Sequence, residues 1–312
     1  MRRYAILCAL VSLLLPITVF SQARTPEAAV NLFKNAMKKG GSGDLDGAIE
    51  DYTRAIRLSS HFDTSKSSDS LGNFSTEGVT VVDPFTANAY NNRGLTRFRK
   101  NDFAGAIEDF NEALKIRPGV PDIYLNRAAA LRAQGDLQGA MRDLDRAIAI
   151  KSDFFKAYNN RGSLKLDLDD PAGALIDLNR ALELNKSIPE PFYQRGYVYV
   201  RQKEYDRGIA DFDRALKLNP QMAWAYQGRG TAYMYKGKMM EAIADFNRAI
   251  ELDPEIAWAY FNRGLTKVFL GQESEAQKDF DICLKLRPEM KPELDQRITL
   301  ARQLRRIGNL EN

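Results

Sequence analysis

The chain repeats itself at a fixed period of 34 residues, and this feature constrains its fold more than any other. The copy at 223–256 begins AWAYQGRGTAYMYKG, and the copy at 257–290 begins AWAYFNRGLTKVFLG. A period of this size is typical of a solenoid, in which each unit packs on its neighbours only. Six copies run in phase from Ala87, Pro121, Phe155, Pro189, Ala223 and Ala257, and a looser copy starts near Ala29.

Each unit predicts two helices separated by a turn. In the copy at 223–256, Tyr226, Gly230 and Tyr233 lie four and three residues apart, which places them on one face of a first helix. Gly237 is expected to end this helix, because glycine adopts the left-handed C-terminal conformation at little cost. Pro254 is expected to end the second helix, because proline cannot continue it.

Small and large residues alternate where the two helices should meet. Positions 8, 20 and 27 of the unit are almost always Gly or Ala, so two helix backbones can approach closely there. A large residue at position 24 is expected to fill the remaining space. These residues are Phe110, Leu144, Leu178, Phe212, Phe246 and Phe280.

With its aromatic residue at position 4, Gly or Ala at position 8 and Ala at positions 20 and 27, the unit resembles the tetratricopeptide repeat. The resemblance covers about Ala29 to Met290. It implies an all-α, right-handed superhelical solenoid of about seven helix-turn-helix repeats, closed by a C-terminal capping helix. It also implies a non-enzymatic scaffold that binds peptide or protein segments on its concave face.

The two ends differ from the repeats. We expect a signal peptide at 1–23, cleaved after Ser21 or Ala23, because Arg2 and Arg3 precede an apolar run and small residues follow. The alternative is an uncleaved membrane anchor. The protein is therefore predicted to be exported, to a periplasm or to the medium. A bacterial type of cell is implied by the resemblance of its NNRG and AIxDFxRAL-like segments to bacterial repeat arrays. The remaining segments are a first, atypical repeat (24–62), an insertion loop that is a candidate ligand contact (63–86), six tandem repeats (87–290) and a capping helix (291–312).

The capping helix is predicted from an apolar stripe at Leu294, Ile298, Ala301 and Leu304. We expect this stripe to cover the last repeat while a polar face points outward. The alternative is a basic docking helix, since several arginines share the segment. Cys283 occupies an alanine position and is expected to be a small buried residue.

Arginine at position 7 and aspartate at position 23 recur in every full repeat. Both lie near apolar faces, where an unpaired charge would be costly, so we expect them to pair. The ends favour a register between repeats, since it leaves neither Asp51 nor Arg297 unpaired. The predicted structural ladder is Asp51–Arg93, Asp109–Arg127, Asp143–Arg161, Asp177–Arg195, Asp211–Arg229, Asp245–Arg263 and Asp279–Arg297.

Two sets of first-helix residues are candidates for binding a ligand. The first is a row of side-chain amides at position 6, each able to pair with one peptide group of an extended chain. The alternative is that these amides are ordinary repeat residues, and Gly228 interrupts the row. The amides are Asn92, Asn126, Asn160, Gln194 and Asn262.

The second set is aromatic and belongs to the C-terminal repeats. Aromatic side chains off the packing face are typical anchors of interfaces, so we expect an apolar segment to bind here. The alternative is that these rings pack against neighbouring helices or the cap. The set is Tyr193, Tyr197, Trp224, Tyr235, Trp258 and Phe261.

The sequence offers no set of residues for catalysis, and we predict that the protein is not an enzyme. Its only histidine is His61, and no metal-ligand spacing or phosphate-binding loop is present, so no metal or cofactor is expected. The formal net charge of +4 falls to +2 without Arg2 and Arg3, which gives no reason to expect nucleic acid. The expected partner is a protein or peptide, with no membrane contact after signal cleavage. A purely architectural subunit of an envelope complex is the alternative.

Overall fold

The computed structural model describes residues 26–60 and 84–308, and its regular elements there are fifteen α-helices and one short 3-10 turn. The expected all-α solenoid of helix-turn-helix repeats with a C-terminal helix is therefore confirmed. The predicted signal peptide (1–23) and most of the predicted insertion (63–86) lie outside the described residues. The chain forms two compact units, unit 1 up to Asp170 and unit 2 from Pro171.

In unit 1 the helices are α1 (Glu27–Gly41), α2 (Leu45–Ser60), α3 (Pro84–Arg99), α4 (Phe103–Ile116), α5 (Pro121–Gln134), α6 (Leu137–Ile150) and α7 (Phe155–Asp167). In unit 2 they are α8 (Pro171–Leu184), α9 (Pro189–Arg201), α10 (Tyr205–Leu218), α11 (Ala223–Tyr235), α12 (Met239–Leu252), α13 (Ala257–Phe269), α14 (Glu273–Leu286) and α15 (Lys291–Gly308). Because α3 starts at Pro84, the repeat that follows the insertion begins three residues earlier than the period suggested.

Glycine at position 8 allows the two helices of a repeat to touch. A Cβ atom on Gly230 would lie 2.9 Å from the ring of Phe246 and 3.2 Å from the carbonyl oxygen of Ala242, both on the partner helix. On Gly264 it would lie only 2.3 Å from the ring of Phe280. Real Cβ atoms essentially never approach this closely, so the large residue at position 24 occupies the space that glycine leaves.

The turn between the two helices has a left-handed residue at position 15 in every repeat. Four of these residues are glycines, but Lys203 adopts the same conformation with φ 63°. The next residue caps the second helix in the N-terminal repeats: Asp102 Oδ1 accepts a hydrogen bond from the Gly105 amide at 3.0 Å, and Asp136 Oδ1 accepts one from the Gly139 amide at 2.8 Å. The left-handed residues are Gly43, Asn101, Gly135, Asp169, Lys203, Gly237 and Gly271.

The position-7 arginines pair with the aspartate of their own repeat, so the predicted register of the ladder is wrong. Arg93 Nη2 lies 2.6 Å from Asp109 Oδ1, and Arg93 Nε lies 3.0 Å from Asp109 Oδ2. The reason is geometric: contact between positions 8 and 24 of one repeat brings their neighbours 7 and 23 together. The same pairing joins Arg127 to Asp143, Arg195 to Asp211, Arg229 to Asp245 and Arg263 to Asp279.

The two ends of the chain, which favoured the other register, have different partners. Asp51 pairs with Lys39 Nζ of its own repeat at 2.7 Å. Arg297 is exposed and lies 3.8 Å from Glu293 on the same helix. Neither end therefore carries information about the register of the repeats between them.

A link between repeats does exist, but it uses position 25. Arg127 Nη1 donates a hydrogen bond at 2.7 Å to Asn111 Oδ1 of the preceding repeat. Arg127 therefore bonds to its own repeat and to the preceding one. Equivalent bonds run from Arg93 to Thr53, Arg161 to Asp145, Arg195 to Asn179, Arg229 to Asp213 and Arg263 to Asn247.

The capping helix α15 packs against α13, as the sequence predicted, and buries Leu294 and Ala301. Arg302 Nη2 lies 2.7 Å from Glu273 at the start of α14, which ties the cap to the last repeat. The predicted outer face is only partly polar, however. Leu304 belongs to this outer face rather than to the buried stripe, since it is 49% exposed, and Leu300 and Ile307 accompany it.

Cys283 is fully buried, as its alanine position predicted. Its Sγ lies 4.0 Å from Met290 Sδ in the core that joins the last repeat to the cap. Burial raises the pKa of the Cys283 thiol to about 11, so the thiol is neutral at physiological pH.

Candidate functional site

The candidate surface is formed by the first helices, and its position-6 side chains turn toward the preceding repeat. At Gly228 a Cβ atom would lie 2.6 Å from the ring of Phe212, which belongs to the repeat before. Position 6 is therefore a packing position at least in part. The absence of an amide at Gly228 follows from this close contact.

In unit 1 the amides bond to each other. Asn126 is buried, and its Nδ2 donates to Asn91 Oδ1 of the preceding repeat at 3.0 Å. Asn91 Nδ2 in turn approaches Asn92 Oδ1 at 3.4 Å. Asn160 is half-buried. The Asn126 amide therefore donates a hydrogen bond between two repeats, and the sequence did not predict this bond.

In unit 2 the amides close a network around one hydroxyl. Thr231 Oγ1 accepts from Asn262 Nδ2 at 3.0 Å and from Gln227 Nε2 at 3.1 Å, and it donates to the Gln227 carbonyl oxygen at 2.9 Å. Asn262 is buried. The expectation that Asn126 and Asn262 present open amides to a peptide is therefore corrected: their Nδ2 groups already bond to the neighbouring repeat.

Each unit has one first-helix amide oxygen that is buried without a hydrogen-bond donor among the described residues. They are Asn159 Oδ1 in unit 1 and Gln194 Oε1 in unit 2. An unsatisfied buried acceptor is costly, so each is a point at which a donor from a ligand or from water would gain a full hydrogen bond. Gln194 belongs to the predicted row of position-6 amides, and Asn159 precedes Asn160, a member of that row, in its own repeat.

Both tryptophans lie half-buried at position 2 of adjacent repeats. Trp224 and Trp258 pack against the same buried cluster, which contains Ala249 and Ile256. Trp258 also contacts Phe261, with ring centroids 5.0 Å apart. The structure therefore brings the two indoles to one cluster and leaves part of each accessible.

The other aromatic candidates divide into three groups. Tyr193 and Tyr197 are half-buried against the core around Phe212. Tyr235 is 48% exposed and stacks on Tyr205, with ring centroids 5.5 Å apart.

Phe261 forms the third group and is not a surface residue. It is only 2% exposed and shares a core with Leu294 and Ala301 of the capping helix. Its assignment to the binding groove is therefore wrong, because the cap covers the outer side of α13.

Sequence reasoning missed the acceptors at position 25, although the signal was present. This position is always Thr, Asn or Asp, which are residues whose side-chain oxygen accepts hydrogen bonds. It also missed that the aromatic residue at position 4 lies beside the arginine: Arg229 Cζ is 5.5 Å from the Tyr226 ring centroid. Hydrogen bonding to Asp245 raises the pKa of Arg229 above its ordinary value, so this arginine is always charged.

Within 26–60 and 84–308, no group of three or more His, Cys, Asp or Glu side chains is arranged to hold a metal ion. In those same residues, no helix combines the length and the apolar character needed to span a membrane.

Sequence profiles described as TPR repeat or Tetratricopeptide repeat match 87–119, 122–151, 155–188, 189–222, 230–271 and 259–290, which together exceed half of the chain. The chain belongs to the tetratricopeptide repeat family. Proteins with these repeats generally mediate protein–protein interaction, and the family is typically a non-enzymatic scaffold. Among curated proteins, none matches the sequence of this repeat protein.

Solved structures share the fold of this repeat protein. A tetratricopeptide repeat protein from Parabacteroides merdae is 20% identical, with a TM-score of 0.63 over 88% of this chain and 99% of that one. Cut9–Hcn1 of the APC/C is 15% identical, with a TM-score of 0.62 over 81% of this chain and 52% of that one. PilF of Pseudomonas aeruginosa is 16% identical, with a TM-score of 0.59 over 71% of this chain and 97% of that one.

Proposed function

We propose that this protein is a non-enzymatic binding module that takes a peptide or protein segment on the first-helix surface of unit 2. The observation that carries the proposal is the pair Trp224 and Trp258, half-exposed on one cluster in adjacent repeats. Elsewhere position 2 is occupied by smaller or charged side chains, so the fold does not require an indole there. Tryptophan is among the residues that contribute most to binding energy at interfaces.

The unsatisfied acceptor at Gln194 supports the same surface. Its buried Oε1 has no donor within the described part of the chain, and a backbone N–H of a bound segment would supply one. Tyr193 and Tyr197 lie on the same helix and are half-buried. Together these side chains would give a ligand both apolar contact and one oriented hydrogen bond.

A second candidate function rests on the capping helix. Leu300, Leu304 and Ile307 follow helical spacing and are about half exposed on the outer face of α15. An architectural subunit of an envelope complex would use such a face to contact its partner. This alternative predicts that substitutions on α15 abolish partner binding, whereas substitutions of the tryptophans do not.

The N-terminal sequence supports export, so the partner is sought in envelope and secreted fractions. The experiment is a pull-down with mature wild-type protein, Trp224→Ala/Trp258→Ala and Leu300→Gln/Leu304→Gln as baits. The proposed function predicts that a partner bound by the wild type is lost with the first variant and kept with the second. Unchanged helical circular dichroism is the control for folding. Loss of the partner only with the α15 variant would establish the architectural alternative instead.

A further inference from the structure

We propose that the segment bound by unit 2 is proline-rich and adopts the polyproline II conformation, with residues i and i+3 placed on Trp224 and Trp258. This inference rests on the proposed function and specifies its ligand. It follows from the contact between the two helices that carry the indoles, the absence of charge at the accessible first-helix positions beside them and the hydrogen bonds that the neighbouring polar groups already make.

The two tryptophans lie on first helices that are in contact, so we infer their spacing from that of packed helices. Both occupy position 2, one on α11 and one on α13, and these two helices are in contact. Packed helices have axes roughly 8–10 Å apart. A polyproline II chain advances about 9 Å in one turn of three residues, so every third residue meets the next repeat.

Other regular conformations fit this spacing less well. Residues on one side of a β-strand recur about every 7 Å, which falls short of the helix spacing. Nearest residues on one face of an α-helix recur about every 6 Å along its axis. In polyproline II, the nearest residues on one side of the chain are separated by about the distance between neighbouring first helices, so each repeat would contact one of them.

The accessible first-helix positions beside the indoles are uncharged. Positions 2, 5 and 9 of α11 and position 2 of α13 are half-buried, whereas positions 5 and 9 of α13 are buried in the core that the capping helix completes. None of the half-buried positions is Asp, Glu, Lys or Arg, so they offer a strongly charged ligand no complementary group. These residues are Trp224, Gln227, Thr231 and Trp258.

The polar groups among these residues are largely committed to one another. The Thr231 hydroxyl bonds to both the side-chain amide and the carbonyl oxygen of Gln227, and Asn262 Nδ2 donates to it as well. A β-strand ligand would bring a regular series of backbone N–H groups that need acceptors. A proline-rich ligand brings fewer, since proline has no N–H, and its conformation is ordered before binding, which lowers the entropic cost.

The protein contains two tryptophans, so intrinsic fluorescence reports on this site alone. The probes are synthetic dodecapeptides of equal length: four Pro-Ala-Ala triplets, six Pro-Ala pairs and three Pro-Ala-Ala-Ala quartets. The inference predicts that the triplet peptide shifts the emission and binds at least about fivefold more tightly than the pair peptide, although it has fewer prolines. The quartet peptide, whose prolines are out of register, should bind more weakly than the triplet peptide.

Variants test the placement of the ligand, using anisotropy of the fluorescein-labelled triplet peptide. Trp224→Ala and Trp258→Ala should each weaken binding about tenfold or more, whereas Trp258→Phe should keep most of it. Met240→Ala is the matched control. Met240 is 68% exposed in the first turn of α12, so its substitution should leave peptide binding unchanged.

Equal affinity for the three peptides, or no binding of the triplet peptide at about 1 mM, would overturn the inference. The proposed function would survive that result if Trp224→Ala/Trp258→Ala still lost its partner in the pull-down. Binding of the triplet peptide with full retention by both alanine variants would also contradict the inference, since the peptide would then bind elsewhere.

Discussion

Arg229 donates two parallel hydrogen bonds to Asp245 of its own repeat, from Nε to Oδ2 at 2.8 Å and from Nη2 to Oδ1 at 2.7 Å. Its remaining nitrogen, Nη1, reaches Asp213 of the preceding repeat at 2.5 Å. One guanidinium thus fixes the two helices of a repeat and also the spacing to the neighbouring repeat. Only arginine has the donors and the planar geometry for this arrangement.

We expect the two carboxylates bound by Arg229 to contribute unequally to stability. The Asp245 side chain is 8% exposed, so Asp245→Ala should cost about 3 kcal/mol, because the guanidinium then loses its buried partner. The Asp213 side chain is 52% exposed, so Asp213→Ala should cost less than about 1 kcal/mol. The measurement is urea unfolding followed by circular dichroism. Equal costs would show that the bond between repeats matters as much as the bond within one.

Lys203 should be a position where glycine stabilises the protein. It adopts φ 63°, a left-handed conformation that costs most non-glycine residues roughly 1–2 kcal/mol. Lys203→Gly is therefore expected to raise the free energy of unfolding by about 1 kcal/mol, after allowance for the flexibility of glycine in the unfolded chain. Asn101→Gly is the matched control: Asn101 has the same φ of 63°, but asparagine tolerates it, so the gain should be smaller. Thermal unfolding of both variants measures the two gains in stability. A larger gain for Asn101→Gly than for Lys203→Gly would contradict this explanation.

Gly264 and Phe280 should behave as a coupled pair. A Cβ atom on Gly264 would lie 2.3 Å from the Phe280 ring, so Gly264→Ala should destabilise by about 1–3 kcal/mol through overpacking. Adding Phe280→Leu should recover part of this loss, because Ala128 already faces Leu144 at the same positions of another repeat. A double-mutant cycle from urea unfolding measures the coupling. Additive effects would mean that the ring moves aside without cost.

Cys283 should make the protein less stable at alkaline pH. Its pKa is about 11 when folded, against about 8.5 for an exposed thiol, so from about pH 8.5 upward the unfolded chain loses the proton first. The folded state then binds more protons, and stability falls with rising pH between these two values, by up to about 3 kcal/mol. Cys283→Ala should remove this component while changing stability little at pH 7, since alanine occupies this position in the other full repeats. Unfolding free energies at pH 7, 9 and 10 for both proteins provide the test. Parallel pH profiles would exclude a contribution from the thiol.

Much of the fold could be predicted from the sequence because each 34-residue repeat contains the residues that define its own helices and turn. Tyr226, Gly230 and Tyr233 mark one helical face, and Gly237 is left-handed at the end of that helix, as predicted. The burial of Cys283 followed from the alanine at the same position elsewhere. The six copies of the repeat carry the same signals, so the sequence predicts the helices and their order six times over.

The candidate site was predictable in its residue types but not in their exposure. Trp224 and Trp258 stood out because no repeat needs an indole at position 2, and they are half-exposed. Phe261 looked equivalent in sequence, yet the capping helix buries it. Asn126 looked like a free amide, yet it bonds to Asn91 of the preceding repeat. Exposure depends on what the next helix covers, which a pattern within one repeat does not record.

The sequence alone determined that this protein is a chain of helix pairs, where each pair turns and which small and large residues meet inside a pair, because these properties depend on neighbours within one repeat. It also identified arginine and aspartate as partners from the cost of leaving them unpaired. Only the tertiary structure decided that Arg93 binds Asp109 and not Asp51, and that Thr53 Oγ1 accepts a hydrogen bond from Arg93 Nη1. The period of 34 fits both registers equally well, and the choice between them is made by the contact of Gly94 with Phe110, which exists only when the two helices pack.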